Sequence, residues 1–158
     1  MATPYALAVA SPRTLVTVST VAERLTWDDY LDREDPRRTE LIEGVVVVNE
    51  LTVLHQRVVG LIYAALIAWT QSGPGRGTAS LPLDVRLDDA TVLAPDVLWF
   101  AHEIDLGAPR APRMPDLAVE VRSPATWVYD VGSKRELYER HGLRELWLAD
   151  TASRTLLV

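Results

Sequence analysis

Two spacings of apolar residues alternate along this chain, and the switches between them mark out its elements. Residues 39–49, TELIEGVVVVN, hold two extended runs around Glu43-Gly44, a pair suited to a tight hairpin, with Glu40 and Ile42 on one face. From Thr52 to about Gln71 apolar residues recur at helical spacing, on so many faces that a sheet or a second subunit should largely cover the helix. SGPGRG ends it. TASLPLDVRL and APDVLWFA then read as two strands joined by DDAT, with Pro95 entering the second. A polar, proline-rich loop at 102–115 follows, of the kind that borders a site. Next come a strand at 116–122, DLAVEVR, a turn at Ser123-Pro124, and a helix that begins near Val131, capped by Asp130 and stopped by Gly142. ELWLAD and TLLV finish as strands. Upstream, Thr26 caps a short helix, WDDYL, that runs to about Arg33 before DPRR breaks it.

Strands and helices in this order predict an α/β (α+β) fold in a single domain over 26–158 behind a tail at 1–25. The 158 residues, 48% of them hydrophobic, suffice for one core. The opening MATPYALAVASPRTLV lacks a basic start and carries Pro4 and Pro12, so it reads as the tail of a cytoplasmic protein rather than a secretory leader. The longest apolar helical run, VVGLIYAALIAW, covers 12 residues, short of the roughly 20 a membrane span needs, so no membrane association is expected. The last strand runs to the end of the sequence, and the expectation is a C-terminus trimmed or disordered beyond 158.

The absence of cysteine excludes disulfide frameworks, thiolate zinc sites and cysteine nucleophiles, so any metal site must use oxygen or imidazole. A formal net charge of −6 argues against a protein that coats nucleic acid through phosphate neutralisation, but leaves room for an enzyme that meets phosphate through a divalent ion.

Candidate chemistry gathers near the strand at 116–122. Glu120 lies opposite in phase to Leu117, Val119 and Val121, and a carboxylate there is costly unless something positive meets it. Asp96 stands at the entrance of PDVLWF; if the two strands are neighbours, the carboxylates converge as oxygen ligands for Mg²⁺. Each acid also has a plain structural reading, Asp96 ending a turn and Glu120 paired with Arg122 or Arg86 on a solvated face. Lys134 falls in the first turn of the following helix, where the dipole disfavours a cation, and it can reach back toward the strand's end; Tyr138 shares its face. His55 falls in phase with Val59, Ile62, Leu66 and Trp69, which suits a hydrogen-bonded core histidine better than a catalytic one and leaves it as a residue at the edge of the site. Trp69, Trp99 and Trp147 fit core patterns better than base stacking.

With these residues in view the chain resembles the PD-(D/E)XK nuclease superfamily and, within it, the bacterial group of Uma-type restriction endonucleases. The resemblance rests on ELIEG, the early helical His55, PDV, DLAVEVRSPAT, Asp130 and Lys134 at their spacing, and YERHGLRELWLAD, in the family's order. It implies a restriction-endonuclease-like core, a mixed sheet flanked by helices, and Mg²⁺- or Mn²⁺-dependent hydrolysis of DNA phosphodiester bonds, with Asp96 and Glu120 as metal ligands and Glu40 as the upstream acid. Two residues past Glu120, where the superfamily's motif has lysine, this chain has Arg122, which cannot give up its proton to act as a base. The lysine's role then falls to Lys134, and Glu120 should be met by a divalent cation with Lys134 close by. Two other functions compete: a non-catalytic binding or assembly module on the same fold, and a metal-dependent hydrolase of a smaller phosphoester. A homodimer covering the helix at 52–71 or the hairpin at 39–49 is also expected, and Arg110 and Arg113 in the loop at 102–115 are candidate DNA-facing residues.

Overall fold

The computed structural model describes residues 24–35, 38–124 and 126–158. Most of the expected tail, residues 1–23, lies outside the described residues, and Leu25 at its end already donates its N–H to the Gly44 carbonyl at 2.9 Å.

Local signals set the first elements. Thr26 and Asp29 form a reciprocal capping box that starts α1 (Trp27–Leu31). β1 (Thr39–Ile42) and β2 (Val45–Val48) pair antiparallel across a two-residue turn in which Glu43 (φ 49°) and Gly44 (φ 81°) are both left-handed, as such hairpins require. Glycine is needed at position 44 twice over, since a Cβ there would lie 2.6 Å from Arg24 Cβ. Thr52 caps α2 (Val53–Gln71) by accepting the His55 N–H.

Where two long strands are expected, at 78–87 and 94–101, the chain forms four. β3 (Thr78–Ser80) ends before Leu81-Pro82, and the chain then crosses to a different sheet as β4 (Val85–Asp88), which turns tightly into β5 (Thr91–Leu93) before β6 (Val97–Phe100) returns to the first. Pro82 cannot donate to a ladder, which accounts for the break. After β7 (Leu117–Val121) the expected single helix is two, α3 (Trp127–Val131) and α4 (Ser133–Arg140), hinged at Gly132. Asp130 is therefore a buried residue inside α3 and not a cap. β8 (Glu145–Asp150) and β9 (Thr155–Leu157) end the chain.

The strands form two sheets rather than one: antiparallel β2-β1-β5-β4, and mixed β3-β6-β7-β8-β9 with β7 and β8 parallel. The α3–α4 segment supplies the crossover that a parallel pair requires. β7 is buried at every position because both faces of its sheet are covered. On one side Val59 of α2 packs with Val97, Leu117, Val119 and Val121; on the other Ala118 meets Leu137 and Tyr138 of α4 and Ile42 and Leu93 of the smaller sheet. Glu120 shares Ala118's side of the strand and so points into the seam between α4 and the two sheets.

α2 is less covered than its pattern suggests. Only His55 and Val59 are buried, while Val53, Leu54, Leu61 and Trp69 are exposed. By length and composition it is the one described helix apolar enough to cross a membrane, at 19 residues and mean hydropathy 1.3. Trp99 and Trp147 pack against the core, and Trp69 meets Trp99 edge to face with centroids 5.5 Å apart.

Candidate active site

β6 and β7 are adjacent and antiparallel, with Val97 opposite Val119, so one more step of the same register sets Asp96 opposite Glu120. The Asp96 N–H donates to the Val119 carbonyl at 2.9 Å. Its side chain is almost wholly enclosed: Oδ2 accepts the Val121 N–H at 2.8 Å and lies 3.0 Å from His55 Nε2, and Oδ1 lies 3.3 Å from Arg38 Nη1. Burial alone would raise this carboxyl, but the His55 and Val121 bonds and the Arg38 charge hold it below the usual range.

Glu120 is met by protein. Its Oε1 receives Lys134 Nζ at 2.7 Å and the Tyr138 hydroxyl at 2.8 Å. Lys134 also sits 3.0 Å from Asp130 Oδ1 and 3.1 Å from both oxygens of Glu40, so three carboxylates surround an ammonium that is 2% exposed. This is the reason for a lysine at the start of α4: its partners lie around it, and Asp130 stands one turn before it on α3. Burial lowers a lone ammonium, but Glu120, Glu40 and Asp130 together carry Lys134 well above its ordinary value, so it stays charged. Glu40, at no exposure, accepts the Ala94 N–H at 2.7 Å on Oε1 and the Asn49 amide at 3.2 Å on Oε2.

Burial pushes the Glu120 carboxyl up to about 8, and the neighbouring Asp130, Glu40 and Asp96 charges add to the shift against the pull of Lys134. Asp130 is raised by burial as well. Tyr138, buried beside Glu120, is raised well above 10 and serves only as an O–H donor.

The cluster opens into a small cleft lined by Asn49, His55, Asp96, Glu120, Asp130 and Lys134. Four carboxylates face two fixed cations, Lys134 and Arg38, which leaves a formal excess of two negative charges when all four are ionised. That excess and the hard oxygen donors of Asp96 and Glu120 suit a divalent ion such as Mg²⁺, which takes one or two carboxylates and retains water. Among the described residues no three His, Cys, Asp or Glu side chains are grouped so as to hold a metal ion by themselves.

Arg122 lies outside the cluster. Its guanidinium pairs with Asp150 at 3.0 Å and stacks on Trp127. Arg86, the other partner considered for Glu120, pairs with Asp89 and covers Trp27. In the loop at 102–115, Arg113 binds Asp116 at 3.0 Å over the Phe100 ring, and Arg110 lies over Trp27. Arg38 and Asn49, not singled out from the sequence, sit beside the acids, where the Asn49 N–H bonds the Arg38 carbonyl at 3.0 Å. Counting back from the Glu43-Gly44 turn would have paired them beside Glu40.

A family model described as "Putative restriction endonuclease", Uma2, matches residues 27–158. Comparison with curated proteins gives no match. Among solved structures, one described as a "putative nuclease belonging to DUF820" from Anabaena variabilis superimposes with a TM-score of 0.67 at 22% identity, covering 84% of this chain and 77% of that one. At that identity the likeness concerns the fold alone. With the family model spanning every element from α1 to β9, the chain belongs to the Uma2 family.

Proposed function

We propose that this protein is a divalent-metal-dependent endonuclease acting on DNA phosphodiester bonds. The observation that carries the reading is the convergence of Asp96 and Glu120, from neighbouring strands, on one cleft backed by Lys134 and Glu40. Asp96 and Glu120 would hold Mg²⁺ or Mn²⁺, which when bound supplies charge for a phosphoryl oxygen and acidifies water. The chain's own groups have separate tasks. Val121 N–H and His55 fix the Asp96 carboxylate, Tyr138 and Lys134 occupy Glu120 Oε1 and so set which way its other oxygen faces, and Lys134 keeps a positive charge at the floor of the cleft.

The exposed apolar residues of α2 favour a second copy of the chain as its cover, and a two-fold dimer would suit cuts on antiparallel strands. A non-catalytic binding module on the same fold is the second reading. It draws support from the net charge of −6 and from Arg113 being committed to Asp116. Calorimetric titration with Mn²⁺ together with single-turnover cleavage of supercoiled DNA separates the two. Metal binding with metal-dependent nicking supports the nuclease, and a protein that neither binds Mn²⁺ nor cleaves is the module.

A further inference from the structure

Once Lys134 is assigned to Asp130 Oδ1, two polar atoms on side chains of the cleft wall are left over. The His55 ring is 2% exposed, and Nε2 is engaged by Asp96, whose carboxylate can only accept; in the neutral ring the proton therefore sits on Nε2 and Nδ1 is a bare acceptor. That Nδ1 is buried without a partner among the described residues. Asn49 repeats the pattern: its amide nitrogen donates to Glu40, which fixes the orientation of the group, and its Oδ1 is buried and likewise unpartnered among the described residues. Buried polar atoms are expensive to leave unpaired, and here two acceptors belong to side chains that line one cleft.

We infer that His55 Nδ1 and Asn49 Oδ1 hold a molecule that donates two hydrogen bonds, a water, in the cleft beside Asp96 and Glu120. On the nuclease reading, on which the role but not the binding rests, this is the water aimed at phosphorus, and His55 is its positioning residue. Lys134 does not compete for the task, because its ammonium is surrounded by Glu120, Glu40 and Asp130.

Two substitutions separate the halves of the imidazole. His55→Gln places an amide N–H near Nε2, keeps the bond to Asp96 and loses the acceptor; His55→Asn places an amide oxygen near Nδ1 and loses the bond to Asp96. The expected result is that H55Q binds Mn²⁺ within about threefold of the parent yet cleaves supercoiled DNA roughly 10²-fold more slowly, the cost of a misplaced reactant. H55N should bind Mn²⁺ more weakly but cleave within about tenfold of the parent at saturating metal, because the acceptor remains. Equal or reversed rankings overturn the role. Histidine-selective ¹⁵N spectra of the parent protein at about pH 8.5, above the ordinary imidazole range, test the binding without turnover, with His55 identified by removing His102 and His141 in turn. The inference requires a proton on Nε2 and an Nδ1 resonance shifted as that of a hydrogen-bonded acceptor; a proton on Nδ1, or a free imine resonance, overturns it. A parent protein that does not cleave ends the nuclease reading and leaves the ¹⁵N result to decide the water site.

Discussion

Replacing Lys134 by methionine keeps the unbranched stem and removes the charge around which Glu120, Glu40 and Asp130 are arranged. Breaking a buried ion pair by deleting one partner costs roughly 3–5 kcal/mol, because the other charge is left unpaired in a poor solvent. Here three acids lose their partner at once, but the full charge need not be left behind. Glu120 is already raised to about 8 by burial, so in the variant the acids take up protons at low pH and release them only at an energetic cost at high pH. The loss should therefore lie at or below the lower end of that range near pH 6 and approach the upper end near pH 9, where the melting temperature should fall by roughly 10 °C. Urea denaturation followed by tryptophan fluorescence at both pH values measures this directly. Adding Glu120→Gln to K134M should recover part of the loss, the signature of coupled neighbours. A K134M protein within about 1 kcal/mol of the parent at high pH would show that the acids are not held by Lys134, and the account of the cluster would fall.

Three further outcomes follow. Asp96→Ala and Glu120→Ala should each abolish Mn²⁺ binding by calorimetry and cleavage with it, whereas Arg122→Ala, altering a residue bound to Asp150 and Trp127, should leave both unchanged; loss of cleavage in R122A would return the lysine's role to Arg122. The folded Glu120 carboxyl titrates near 8 against an ordinary 4.5, so across that window the native state holds a proton the unfolded chain has released. Its contribution to stability is present below about 4.5 and is lost as pH rises through about 8; the slope of urea midpoint against pH should flatten in E120Q, and an unchanged slope would remove Glu120 as its source. The exposed α2 face predicts a dimer in sedimentation that Leu54→Glu with Leu61→Glu converts to monomer, and a parent that stays monomeric at high micromolar concentration contradicts it.

What could be read from the sequence was what local rules determine. The Thr26 cap, the Glu43-Gly44 turn and the phase of Glu120 each depend on a few neighbouring residues, and all appear where expected. The second sheet was not legible, because TASLPLDVRL reads as one strand unless Pro82 is taken as a departure to another layer. The same limit applied to Asp130: a helix start and an ion pair to Lys134 use the same spacing, and only the Gly132 hinge tells them apart. The partner of Glu120 was half legible, since Lys134 was in reach but its being held by two further acids depended on how the sheets dock. Arg38 carried no local sign of its contact with Asp96, 58 positions away.

The contact between Lys134 and Glu40 joins residues 94 positions apart, and the bond to Glu120 comes from Tyr138, one turn later on the same helix. A loop of that length closes slowly, after local hairpins and helices have formed. During synthesis the strands bearing Glu40, Asp96 and Glu120 emerge before the α4 residues that complete the cluster. Until α4 docks, the acids lack the Lys134 ammonium around which their side chains are arranged. A chain truncated before α4 would then carry the acids without the cation that they surround.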